Sequence, residues 1–306
     1  MFNQFPNVFY IPKNVDYIIV SDLFAENYIG GAELTLEAIL EECPGKIFKL
    51  HSSSVTEQLI EKNKDKYWIL GNFSNMSHES LITLVTNEVK FSIIECDYKY
   101  CKFRSSHLHK IQEKIECNCH TQKYGFFIRK IFQKAQHVFF MSKNQMEIYI
   151  NKFPQFECSN FSVQSSTFKN STLEKIRNLR LQNKNTSSDT WVVLAGGSWI
   201  KAEAQTIKYC EGHKIKYERL GGLEHEKFLE KLSEYKGIVF LPAGYDTAPR
   251  YVIESKLLGL ESILNENVQM REEDWFTGSI EDCENYLKTR PKYFWEIILN
   301  EKEKRN

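Results

Sequence analysis

The chain has 306 residues, enough for two α/β domains or one large one. Its 40 basic and 40 acidic residues cancel to a formal net charge of +0, which excludes the basic excess of a protein that coats nucleic acid; any such contact must be local. Hydrophobic residues at 42% and charged residues at 26% fit an ordinary globular core, and no apolar run approaches the ~20 residues that span a bilayer.

Met1-Phe2-Asn3-Gln4-Phe5 lacks the charged start and apolar stretch of an export signal, so a cytoplasmic protein is expected. Its eight cysteines are then expected as reduced thiols rather than a disulfide framework. Tyr17-Ile18-Ile19-Val20 reads as a buried strand ending at Ser21-Asp22-Leu23-Phe24. Gly30-Gly31-Ala32-Glu33-Leu34 opens a helix read over Ala32 to Leu40, and the free amides of a helix start attract anions. No G-x-G-x-x-G joins this strand to its helix, which argues against a nicotinamide enzyme, and no Walker lysine motif occurs. Ile47-Phe48-Lys49-Leu50, Tyr67-Trp68-Ile69-Leu70, Phe91-Ser92-Ile93-Ile94 and Val138-Phe139-Phe140 read as further strands. Each is separated from the next by polar or helical sequence, the rhythm of βαβ units around a parallel sheet.

The stretch from Ile94 to Lys110 leaves the fourth of these strands. Asp97 in it can polarise a hydroxyl, or cap the loop, or pair with Lys99 or Arg104. Lys99, Lys102, Arg104, His107, His109 and Lys110 interleave with Tyr98, Tyr100 and Phe103, a mixture that suits phosphate backbones and base stacking, and equally a solvated rim. Cys101, His107, His109, Cys117, Cys119 and His120 are dense in soft ligands, and Cys101, His107, Cys117 and Cys119 form one option for a structural zinc. Cys117-Asn118-Cys119 is not a C-x-x-C knuckle, so unligated thiols and imidazoles are the expectation, with no metal.

The rhythm breaks between 164 and 190, where Ser165-Ser166, a helical stretch and the polar run Asn183 to Ser188 suggest a junction. A second α/β series follows: Trp191-Val192-Val193-Leu194-Ala195, Ile215-Lys216-Tyr217 and Gly237-Ile238-Val239-Phe240-Leu241 as strands, then Arg250 to Leu258 as a helix that Gly259 ends. Ala195-Gly196-Gly197-Ser198-Trp199-Ile200-Lys201 leaves the first of these strands; its glycines admit phosphate oxygens to backbone N–H groups, and Lys201 adds charge. After the last strand, Asp246 lies in a loop, Pro249 suits a first helical turn, and Glu254 falls one to two turns in. Two acids bordering one cleft can accept hydrogen bonds from vicinal hydroxyls, at about 1.5–3 kcal/mol each for a charged acceptor. The fold expected is α/β: two doubly wound, Rossmann-like domains facing a cleft, with ligands beyond the carboxyl ends of the strands. Residues 1–164 are expected as the first domain, 165–290 as the second, and 291–306 as a terminal helix that packs back on the first.

On Asp246, seven residues and Glu254, the chain resembles the retaining GT-B glycosyltransferases, with Asp in place of the commoner first Glu. Lys256-Leu257-Leu258-Gly259, Asn265-Glu266-Asn267-Val268 and the Gly30-Gly31-Ala32-Glu33 element are similar to segments of that family. The resemblance implies a nucleotide-sugar donor, a UDP-sugar before others, and no required cofactor or catalytic metal. It implies that Glu254 holds the ribose, that Asp246 meets the sugar, and that Gly30, Gly31, Gly197, Ser198 and Lys201 manage the diphosphate. Ser198 stands where the family has Arg and Ala202 where it has Gly, which brings in Arg250 as a further donor contact. Asp97, Lys99, Lys102, Arg104 and His107 fall on the acceptor side. That side also resembles small glycosyltransferases of T-even-like phages, some of which act on hydroxymethylated cytosine. This implies a double-stranded DNA acceptor and a host-cytoplasmic location. The alternatives are a glycan, lipid or protein acceptor, or a nucleotide-sugar-binding protein without turnover, as the changes at Ser198 and Ala202 would permit.

Overall fold

The computed structural model describes residues 8–156, 158–183 and 188–303; Met1 to Phe5 and the 184–187 part of the polar run lie outside them. Among the described residues ten strands form, β1 (Tyr17–Ser21), β2 (Ile47–His51), β3 (Tyr67–Leu70), β4 (Phe91–Glu95), β5 (His137–Phe140), β6 (Phe161–Val163), β7 (Trp191–Leu194), β8 (Tyr217–Leu220), β9 (Gly237–Phe240) and β10 (Glu261–Leu264). They make two sheets, six strands in the order β2-β1-β3-β4-β5-β6 and four in the order β10-β9-β7-β8. Every pairing within them is parallel. A parallel sheet covered by helices buries both faces, so its central strands are continuous apolar runs. Alternation along β1 shows this: Tyr17 and Ile19 join one core while Ile18 and Val20 join the other.

The chain order reverses between β1 and β3 in the first sheet and between β7 and β9 in the second. Crevices open beyond the strand ends at such switch points. The two sheets share one core, which runs from Tyr17, Ile39 and Phe139 to Val192, Ile238 and Ile253 by way of Leu173, Leu287 and Trp295. The final helix, Ile280–Glu303, crosses between them and contains Pro291. Its Trp295 indole donates to Ile39 O at 2.7 Å and its Phe294 ring lies 4.4 Å from Phe139. Next to the proline, Arg290 Nε donates to Gln164 O at 3.1 Å, pinning the chain where it leaves the first sheet. Each large apolar side chain buried in this way contributes about 1.5–3 kcal/mol, so the two sheets are held by a common interior and not by a linker alone.

Candidate functional site

On the first-sheet wall of the cleft, charged side chains from several loops pair with one another. Asp22, just beyond β1, accepts from Ser74 N and Asn75 N at 3.1 Å each and from the Ser52 hydroxyl. Burial alone would raise its pKa, but these hydrogen bonds outweigh it and hold the carboxyl below its ordinary value of 3.8. Arg104 reaches across three loops: it pairs with Asp97 after β4, lies 3.5 Å from Asp22, and donates to Asn72 Oδ1 after β3 at 2.8 Å. Behind it, Lys99 Nζ meets Glu95 Oε2 at 2.7 Å, both fully enclosed, and Tyr149 donates to Glu95 Oε1 at 2.6 Å. Gln145 Nε2 donates to Glu95 O at 3.0 Å and Asp97 O at 2.7 Å, which fixes the post-β4 loop.

Gly30 precedes the helix Gly31–Glu41 in an extended conformation. A Cβ on Gly31 would stand 3.7 Å from Arg250 Cβ, an ordinary contact distance, so the helix start lies against the second wall here. Glu33, in the first turn, has its pKa raised by burial and further by Asp22.

The second-sheet wall is built differently. Lys201 and Asp246, 45 residues apart, come together beyond the ends of β7 and β9 with Nζ to Oδ2 at 2.6 Å, the lysine 28% exposed and the aspartate 13%. The Asp246 loop is clamped from below: its N–H donates to Asn267 O at 2.8 Å, and Asn265 and Asn267 side chains both donate to Pro242 O. Gly196 and Gly197 are exposed and have open space where a Cβ would be, although Gly196 N–H donates to Glu203 Oε2 at 3.0 Å. Ala202 adopts the left-handed conformation (φ 51°), where glycine is favoured. Glu254 is buried in the helix Arg250–Leu258; its Oε1 lies 2.7 Å from His225 Nε2 and accepts from Arg250 Nε at 3.1 Å.

Several expected roles change. Arg250 is enclosed: Nη1 donates to Thr167 O at 2.6 Å, the guanidinium lies 3.8 Å over Phe168, and burial lowers its pKa, so it ties the segment after β6 to its helix and presents no free cation to a diphosphate. Lys99 is 3% exposed and spent on Glu95, so it does not face an acceptor. Lys102 is exposed but paired with Glu113 at 2.8 Å. His107 has its pKa lowered by burial, and its ring lies edge-on to Tyr245 at 4.6 Å, against the second wall rather than beside the cysteines. It is His109 that joins Cys101, Cys117 and Cys119 in the soft-ligand cluster. Asp97 makes the ion pair with Arg104 that was the competing reading of that residue. Ser198 is exposed beside the glycines.

His225 was missed by sequence reasoning. It starts the helix His225–Leu232 just after Gly221-Gly222, and the glycine pair beyond a strand was the available signal. The walls also bind each other: Tyr98 donates to Gln269 Oε1 at 2.6 Å and Thr247 to Cys96 O at 3.1 Å. A cavity of about 730 Å³ lies elsewhere, at the amino ends of β4 and β5 around Lys90, Phe91 and Gln136.

No protein-family model and no curated protein sequence matches the chain. Solved structures do match in fold. Sucrose-phosphate synthase from Thermosynechococcus elongatus aligns with a TM-score of 0.56 at 9% identity, over 93% of this chain and 94% of that one. Anabaena Alr3699/HepE, crystallised with UDP and glucose, aligns with a TM-score of 0.54 at 11% identity, over 89% of each chain. UDP-N-acetylglucosamine 2-epimerase from Rickettsia bellii aligns with a TM-score of 0.51 at 9% identity, over 94% of this chain and 96% of that one. With the two parallel sheets, these matches establish the GT-B architecture. Among the described residues, no helix is long and apolar enough to cross a membrane.

Proposed function

We propose that the chain is a nucleotide-sugar-dependent glycosyltransferase of the retaining kind, with the donor held by the second wall. The observation that carries this is the Lys201–Asp246 pair at the β7/β9 switch point, eight residues before the buried Glu254. In this reading residues 1–164 supply the acceptor side, 165–290 the donor side, and 291–306 the returning helix. The donor diphosphate takes the Lys201 ammonium from Asp246, alongside the amides of the Gly196–Gly197 loop and Ser198. The freed Asp246 carboxylate then accepts a sugar hydroxyl. Glu254, oriented by His225, accepts from the ribose. Gly30 and Gly31, at the start of the helix Gly31–Glu41 on the opposite wall, turn backbone amides toward the donor phosphates. The C1–O bond to the diphosphate breaks with its electron pair on the leaving oxygen. The acceptor oxygen bonds to C1 on the same face, and its proton passes to that leaving oxygen, so no protein base is needed.

A UDP-sugar is the first donor to try, since HepE was crystallised with UDP and with UDP-glucose. Asp97, Arg104 and His107 border the acceptor. The pairing of Lys99, Lys102, Arg104 and Lys110 with Glu95, Glu113, Asp97 and Glu116 weakens the local positive field. This favours a neutral hydroxyl acceptor, a glycan or lipid, over hydroxymethylated DNA. Nucleoside diphosphate release should be followed across a panel of nucleotide sugars, with and without oligosaccharides and hydroxymethylated DNA. Acceptor-dependent release supports transfer. Conversion of the donor to an epimer without release points instead to the 2-epimerase type of chemistry, and no donor consumed under any condition removes the enzyme reading.

A further inference from the structure

We propose that Cys101, His109, Cys117 and Cys119 bind one zinc ion as a closed, structural Cys3His site. The four candidate ligand atoms lie within 4.8 Å of one another, and all four residues are buried. A tetrahedral zinc with Zn–S of about 2.3 Å and Zn–N of about 2.0–2.1 Å separates sulfur from nitrogen by about 3.6 Å and sulfur from sulfur by about 3.8 Å. His109 Nδ1 lies 3.3 Å from Cys119 Sγ and 3.8 Å from Cys101 Sγ, the spacing such an ion requires. Hydrogen bonding within the cluster is weak. Cys101 Sγ donates to Ser105 O at 3.4 Å, and the His109 imidazole, 3% exposed, has only sulfur facing its Nδ1. A metal on Nδ1 would give that buried nitrogen a strong partner. Burial of all four residues leaves no open position for water or substrate, which is the character of a structural site and not a catalytic one.

Local packing has made room for this. Cys101 follows β4 in a turn, His109 lies on the helix Ser106–Glu113, and Cys119 sits in a single 3-10 turn on which the helix Lys123–Lys134 rests. That helix comes close enough only because residue 125 is glycine: a Cβ there would overlap the backbone of Cys119 and His120. The ion would tie three segments that also meet in the first sheet's apolar core through Cys101, Cys117 and Cys119. One of them carries His107, which packs on Tyr245 and stands 3.0 Å from where a Gly244 Cβ would be. The site thus braces the first wall where it touches the second, without depending on what the cleft binds.

The test uses the full chain, purified under reducing conditions without chelator, with metal measured by mass spectrometry. One zinc per chain is expected, with less than a tenth remaining in His109→Ala and in Cys117→Ser, and an unchanged content in His107→Ala. Cobalt exchanged into the parent chain guards against variants that do not fold: tetrahedral ligand-field bands with thiolate-to-cobalt charge transfer are expected. A folded, reduced parent that takes up neither zinc nor cobalt overturns the proposal, as does an octahedral cobalt spectrum or full zinc retention in His109→Ala. Neither readout needs glycosyl transfer, so failure here and failure of the proposed activity are separate results.

Discussion

The two walls of the cleft use charge in opposite ways. On the first, Arg104 is held by Asp97, Asp22 and Asn72, and Lys99 is sealed against Glu95. On the second, Lys201, 28% exposed, and Asp246, 13% exposed, pair beside exposed glycines whose α-carbons have empty space in front of them. Lys99 and Glu95 cannot part without leaving a buried charge, which is costly. Lys201 has one carboxylate partner to exchange, whereas Arg104 meets two carboxylates and an amide. The first wall is tied by more contacts than the second, and in the proposed reading it is the second that changes its contacts when an anionic ligand arrives.

The difference can be broken most forcefully on the first wall. Lys99→Ala leaves Glu95 buried and unpaired, and denaturant titration should show a loss of about 3–5 kcal/mol, enough to unfold much of the population. Lys201→Ala should do the reverse: a stability change below about 1 kcal/mol, but a fall in kcat/KM of about a hundredfold if its ammonium meets the leaving diphosphate. Asp22 sharpens the contrast through pH. Its carboxyl is held below 3.8 in the fold, so its contribution is present at neutral pH and is lost as pH falls through the depressed value. Urea midpoints of the parent should exceed those of Asp22→Asn by a constant margin above pH ~5, and the margin should close below pH ~4. The smallest effect concerns Ala202. Relief of its left-handed backbone by Ala202→Gly favours the fold by about 1–2 kcal/mol, offset by about 0.4–1 kcal/mol of extra chain entropy when unfolded. A rise in Tm of a few degrees or less is expected, and a fall would mean that its buried methyl matters more than its φ.

The central strands were readable because burial on both faces leaves continuous apolar runs, as in Tyr67-Trp68-Ile69-Leu70. Of the edge strands, Ile47–His51 was also readable, but the others were not. Phe161–Val163 has only three residues, and Glu261–Leu264 mixes polar and apolar positions with no buried member. The strand expected at Ile215 to Tyr217 forms at Tyr217–Leu220, where Glu218 and Arg219 face solvent and hide the pattern. The helix Arg250–Leu258 and its Gly259 stop, with φ 81°, were legible from Pro249 and the glycine. The long-range contacts were not, since Tyr98–Gln269 across the cleft and His225–Glu254 within the second wall join residues 171 and 29 apart. His107 and His109 show the limit at short range: two positions along a helix turn a side chain by roughly 200°, so one meets Tyr245 and the other the cysteines.

Calorimetric titration of nucleoside diphosphates into the parent chain, Glu254→Ala, Lys201→Ala and Lys102→Ala tests the assignment of the donor to the second wall most directly. Saturable binding of one diphosphate by the parent is predicted, weakened at least about tenfold by loss of either second-wall charge and unchanged in Lys102→Ala. Equal affinity in the parent, Glu254→Ala and Lys201→Ala, or binding to none of the diphosphates, would contradict it.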